Sequence, residues 1–183
     1  MRKIAILSSL LAVCFVIAMQ AQTAPKPAPE FKQLHGVLGH WTYTCDYQAT
    51  PLGPASKATG EYTNQMIFGG FFLKGQWKEK GTAGELEGFD LTRYDPDSKK
   101  FAFSGYQSDG GTYWGTLDIK GTTVTDTEKL LAGGKQYDVR HTIAYSVDWT
   151  SADWKAEIST DGKTWVPWFE QNMTKVKPEA KKK

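Results

Sequence analysis

From Trp41 almost to the C-terminus, apolar and polar residues alternate with a period of two. Trp41, Tyr43, Cys45 and Tyr47 share one face, against Thr42, Thr44, Asp46 and Gln48 on the other. Phe71, Leu73, Gly75 and Trp77 oppose Phe72, Lys74, Gln76 and Lys78. Further on, Tyr137, Val139, His141, Ile143, Tyr145 and Val147 form one face, and Trp154, Ala156 and Ile158 repeat the pattern. That spacing is the signature of a strand with one buried side, because successive side chains of extended backbone point to opposite faces. Gly69-Gly70, Asp95-Pro96-Asp97, Asp109-Gly110-Gly111, Lys120-Gly121, Gly133-Gly134 and Asp161-Gly162 punctuate the runs as hairpin turns. Roughly ten such segments with no central helix pattern predict an all-β fold, a single antiparallel up-and-down barrel whose closure removes edge strands. A two-sheet sandwich is the competing architecture.

The residues before Trp41 predict compartment and linkage. Met1-Arg2-Lys3 is a positive start, and Ile4 to Ala18 is an apolar run broken only by Ser8 and Ser9. The run is short for a membrane span and fits a secretory signal over residues 1–21, cleaved after Ala21. Val13 is too bulky before Cys14 for that cysteine to read as a lipidation site. Residues 22–29, with Pro25, Pro27 and Pro29, read as an extended linker. Phe31, Leu34, Val37 and Leu38 then fall at helical spacing, so the domain spans residues 30–176 and opens with a short helix. Residues 177–183 form a basic, disordered tail.

Charge narrows the partners. The chain carries 22 Lys and Arg against 20 Asp and Glu. Removing residues 1–21 takes away Arg2 and Lys3, and setting aside the tail leaves a slightly acidic body. Such a body excludes nucleic acid as a natural partner. After signal removal no segment predicts stable membrane insertion, and the oligomeric state is left open. Of the two cysteines only Cys45 survives cleavage, so no internal disulfide is available and the fold rests on its core.

The order of short motifs carries a resemblance. The helical segment is followed by Leu38-Gly39-His40-Trp41, Gly60-Glu61, Phe68-Gly69-Gly70-Phe71-Phe72, Leu86-Glu87-Gly88-Phe89, Arg93-Tyr94-Asp95, Ser108-Asp109-Gly110 and Ser159 to Trp165. Over residues 31–176 this order resembles the DUF1579 family, small bacterial proteins of unknown function related to lipocalin-like (calycin) barrels. The resemblance implies a barrel with a possible internal pocket and implies no reaction. In lipocalin relatives an arginine near the barrel's end covers the Gly-x-Trp indole. Here Gly39 and Trp41 supply the Gly-x-Trp, and the last strand offers Lys175 for the cover, a cation that can stack on an indole less well than a planar guanidinium.

Candidate site residues follow from the inward faces. Trp41 reads as a structural plug whose N–H needs one acceptor. His141 shares a face with Val139, Ile143 and Tyr145. There it could hold a ligand's polar head or a haem iron, or be a neutral core histidine bonded to a tyrosine. Tyr43, Tyr47, Trp77, Phe101, Phe103, Tyr113, Tyr137 and Tyr145 also point inward, forming either a filled core or the wall of a pocket. Inward Gly75, Gly105 and Gly115 leave volume for a cavity. No Gly-x-Ser-x-Gly, His-Glu-x-x-His or Cys-x-x-Cys is present, so the sequence assigns no catalytic residue, no metal and no cofactor. Asp90, Asp95, Asp97, Asp109 and Asp161 read as turn acceptors, and Glu85 with Glu87 as a solvated pair. The reading is an exported, periplasmic or secreted, barrel that binds a small hydrophobic or amphipathic ligand. The alternatives are an enzyme using His141 as acid or base, and a solid-core interaction protein.

Overall fold

The computed structural model describes residues 25–177 apart from residue 83. The expected signal segment and all of the tail beyond Lys177 lie outside the described residues. A 3-10 helix, Pro29–Val37, leads into ten strands: β1 Gly39–Tyr47, β2 Ser56–Ile67, β3 Phe72–Gly81, β4 Gly84–Asp95, β5 Lys100–Gln107, β6 Thr112–Lys120, β7 Thr123–Ala132, β8 Lys135–Tyr145, β9 Ser151–Ser159 and β10 Val166–Lys175. Each strand pairs antiparallel with its sequence neighbours, and β10 returns to β1 with Trp41 opposite Lys175, closing the barrel. Closure leaves no free strand edge, which decides against a sandwich. Among the described residues no helix is long and apolar enough to cross a membrane.

The alternation survives as burial. In β1, Trp41, Tyr43 and Cys45 are buried while Thr42, Thr44 and Asp46 are exposed. In β8, Tyr137, Val139, His141 and Ile143 are buried, but the strand stops at Tyr145. Val147, which continues the period on paper, lies in the turn and is 91% exposed. In β10 the register shifts between Pro167 and Phe169. Pro cannot donate to a ladder, so a bulge is where a strand tolerates it. Beyond the bulge, Phe169, Gln171 and Met173 take the buried positions.

One end of the barrel is shut by the 3-10 helix. Phe31, Leu34 and Val37 are buried on Leu73 and Phe101, and the Phe31 and Phe101 rings meet edge to face with centroids 5.3 Å apart. Trp149, in the β8–β9 turn, lies directly against Gly36, where any side chain would overlap the indole. Trp41 is fully buried and its indole N–H donates to the Val37 carbonyl at 2.9 Å, the one acceptor it needs. Lys175 Nζ sits 5.1 Å from the Trp41 ring and donates to the Gly36 carbonyl at 2.8 Å. Burial lowers the Lys175 pKa. Gly39 adopts φ +116°, and a Cβ there would press on Lys175 Cε. The expected closure trio of Gly39, Trp41 and Lys175 is therefore one packed unit that also ties down the helix.

The inward glycines do something different from leaving space. Gly60 stands opposite Tyr43, Gly88 opposite Trp77 and Gly105 opposite Tyr113, and in each case the aromatic side chain lies over the glycine backbone. Gly75 is covered by the Tyr62 hydroxyl and the Asp90 carboxylate. At Gly115 the neighbours are backbone, the Thr127 carbonyl and Glu128. These glycines let large rings lie flat along the wall instead of projecting across the interior. Gly115→Ala is expected to destabilise the barrel by about 1–2 kcal/mol, because backbone and not a flexible side-chain tip must move. A urea unfolding midpoint unchanged from wild type would count against that account.

Candidate functional site

The rings leave the middle of the barrel hollow. A cavity of about 840 Å³ runs from above the Trp41 plug to the opposite end. There the β1–β2 loop and the β3–β4, β5–β6 and β7–β8 turns form a mouth. Of the nine residues read as ligand-facing, Tyr43, Tyr47, Trp77, Phe103, Tyr113, Tyr137, His141 and Tyr145 line this cavity. Phe101 does not. Although its strand position is inward, it lies at the closed end, where its ring packs between Phe31 and Tyr94. A hollow interior also removes the solid-core alternative.

The wall holds acids that the alternation contains but that a turn or surface reading hides. Continuing the β3 face one step past Trp77 reaches Glu79, and the inward face of β7 reads Val124, Asp126, Glu128, Leu130. Asp90, expected in a turn, is instead in the middle of β4 and buried. The true turn acceptors are Asp95, Asp109 and Asp161, each accepting from a backbone N–H two residues on. Glu85 and Glu87 are exposed, as a solvated pair should be.

Near the mouth, the Tyr47 hydroxyl donates to Glu79 at 2.9 Å and the Tyr43 hydroxyl at 3.4 Å. Burial raises the Glu79 pKa, opposed by these two hydrogen bonds. Burial, with Glu79 nearby, also pushes the Cys45 thiol up to about 12, which makes it an inert core residue. Deeper, the Tyr62 hydroxyl donates to Asp90 at 2.6 Å, and the Trp77 indole N–H to the Tyr113 hydroxyl at 3.3 Å. Burial lifts Asp90 to about 6, with the Glu128 charge adding and the Tyr62 bond subtracting.

His141 lies at the centre of the most buried group. Cross-strand pairing sets it opposite Asp126, and its Nε2 lies 3.4 Å from Glu128 Oε1 and 3.9 Å from Asp126 Oδ1. The three side chains are only 6%, 8% and 10% exposed for His141, Glu128 and Asp126. On the other side of the ring, the Trp154 indole N–H donates to Nδ1 at 2.8 Å. An indole N–H is a donor only, so Nδ1 presents its lone pair and the proton of the neutral ring belongs on Nε2, facing the two acids. Burial opposes charge on His141, but Asp126 and Glu128 together outweigh it and raise the pKa. A second proton at Nδ1 would break the Trp154 bond. The expected tyrosine partner is thus replaced by a tryptophan. Burial lifts Asp126 to about 7, with His141 pulling it down and Glu128 and Asp90 pushing it up. Its Oδ1 has no hydrogen-bond partner, and neither does the buried Nε2 of Gln171.

Asp126, Glu128 and His141 bring three potential metal donors within 4.8 Å of one another, a grouping that no sequence spacing announces. The tautomer works against that use. A metal ion, or a haem iron, needs the Nε2 lone pair, whereas the Trp154 bond holds the free lone pair on Nδ1.

A closed ten-stranded antiparallel barrel, plugged at one end by a tryptophan and hollow above it, has a lipocalin-like (calycin-type) fold. The chain belongs to the DUF1579 family, described as "Protein of unknown function (DUF1579)", whose model matches residues 26–175. Two solved structures share the fold. Rv2717c from M. tuberculosis superposes with a TM-score of 0.61 at 14% identity, covering 83% of this chain and 100% of that one. The S-type phycobiliprotein lyase CPES from Guillardia theta does so with a TM-score of 0.52 at 9% identity, covering 84% and 100%. No curated protein matches the sequence.

Proposed function

We propose that this protein is exported and that its barrel binds a small amphipathic molecule. The observation that carries the reading is the cavity itself. At about 840 Å³ it lies within the range of about 300–1,000 Å³ found for small-molecule sites, and its wall is aromatic with a few polar groups facing in. Tyr and Trp faces offer apolar contact, while Asp90, Asp126, Glu128 and His141 form one polar station for a head group. Native mass spectrometry of protein purified from its own host tests the reading. A retained small molecule, lost on mild denaturation, is the expected result; a barrel that is always empty and takes up nothing overturns it.

Export is supported by Met1-Arg2-Lys3 and the apolar run from Ile4 to Ala18. Sequencing the N-terminus of the host-derived protein should find a chain beginning just after Ala21. Full-length protein confined to the cytoplasm would remove this part of the proposal.

A further inference from the structure

Charge inside the cavity is one-sided. Glu79, Asp90, Asp126 and Glu128 all line it, and among the described residues the only basic side chain in its depth is His141. Lys57 and Lys135, the other cations on its wall, are exposed at the mouth. His141 offers its Nε2–H to Glu128 and so leaves Asp126 unserved. The Asp126 side chain is nine-tenths buried and lines the cavity, and its Oδ1 has no hydrogen-bond partner. A buried acceptor in that state is missing a donor.

We infer that the cavity takes an amphiphile with a protonated amine head, one N–H of which donates to the Asp126 carboxylate beside Glu128. This rests on the binding reading above and names its ligand class. Three features select the chemistry. A carboxylate or phosphate head would meet four acids, so anions are refused. A quaternary ammonium has charge but no N–H, and would leave the Asp126 carboxylate without a donor. A metal ion would need the Nε2 lone pair that the Trp154 hydrogen bond places on the other nitrogen. An amine supplies both the charge and the donor, and Trp77, Tyr113 and Trp154 give its neighbouring carbons aromatic surfaces to lie against. The upward pull on the Asp126 pKa agrees, since an arriving cation relieves the repulsion from Glu128 and Asp90 that causes part of it.

Calorimetric titration at pH 7.5 with decylamine, 1-decanol and decanoate, which share one tail, tests the inference. Decylamine is expected to bind about 10- to 100-fold more tightly than decanol, the range for hydrogen bonds to a charged group, with decanoate weakest. Asp126→Asn should bring decylamine down to the decanol level, with far-UV circular dichroism and a cooperative thermal transition reporting that the variant is folded. Equal affinities across the three probes would sink the amine inference and leave the binding reading standing. If none of the three binds, both fall. A decylamine preference that survives Asp126→Asn overturns the placement of the head. Stoichiometric zinc chloride binding that disappears in His141→Gln would overturn the organic cation in favour of a metal.

Discussion

Trp41→Ala is expected to lower the unfolding free energy by about 4 kcal/mol, at the upper end of what large-to-small core changes do. Three losses combine. The indole is fully buried, so its removal leaves a void at the end of the barrel that the strands cannot close. The Val37 carbonyl loses the N–H that satisfied it, and Lys175 loses the ring beneath its ammonium. Because Val37 and Lys175 also hold the 3-10 helix, the helix should loosen as well. Guanidinium unfolding measures the first effect, and amide hydrogen exchange over residues 31–37 the second. Trp41→Phe fills most of the volume without the N–H, so its cost should fall clearly between wild type and Ala. A Trp41→Ala loss below about 1 kcal/mol would falsify the plug assignment.

The second large effect concerns pH. Asp126 and Asp90 have folded pKa values of about 7 and about 6, raised above 3.8 first by burial. A carboxyl raised by folding keeps its proton in the folded state where the unfolded chain has released it. Stability from this source is therefore present at low pH and falls as pH rises from about 4 through 7. His141, also raised, acts with the same sign: its contribution is held below its unfolded value and lost as pH rises through the folded one. Asp161 marks the opposite flank, because its backbone hydrogen bonds with Thr164 and Lys163 hold it down to about 2, so its contribution is lost as pH falls from about 4 through 2. The empty barrel should then be most stable near pH 4–5 and weaker at pH 8. Asp126→Asn removes the buried charge and should stabilise the empty protein at pH 8 by about 2 kcal/mol and by clearly less at pH 5, where the folded Asp126 keeps its proton and only the unfolded chain has released it. Urea unfolding of both proteins at the two pH values is the check. Equal shifts at pH 5 and pH 8 would mean that ionisation of Asp126 is not the cause.

The same substitution is expected to strengthen the fold and to abolish amine selectivity. A side chain that costs stability in the empty protein and has an unmet acceptor in its cavity behaves as a binding group and not as a structural one. His141 differs: it is already engaged on both nitrogens, by Trp154 and by the acids.

How much of this is legible in the chain depends on the range of the physics involved. Strand alternation, hairpin glycines and the helix before Gly39-x-Trp41 are local features that residue order alone states, whereas the pairing of Trp41 with Lys175 follows from the family resemblance. Inward orientation is equally local, which is why eight of the nine aromatic and histidine positions reach the cavity. Height along the barrel is not local: Phe101 faces inward as Phe103 does, but two residues lower it meets the helix and leaves the wall. The acids show the limit most clearly. Glu79, Asp90, Asp126 and Glu128 come from three strands, and no spacing in the sequence relates β3 or β4 to β7. Only closure of the sheet, with the register that puts Asp126 opposite His141, turns scattered carboxylates into one electronegative interior. The tautomer of His141 likewise depends on a tryptophan one strand away. The container is written in the period of the chain, whereas the character of its interior exists only once the strands have closed, because burial and the mutual repulsion of charges are properties of an enclosed space.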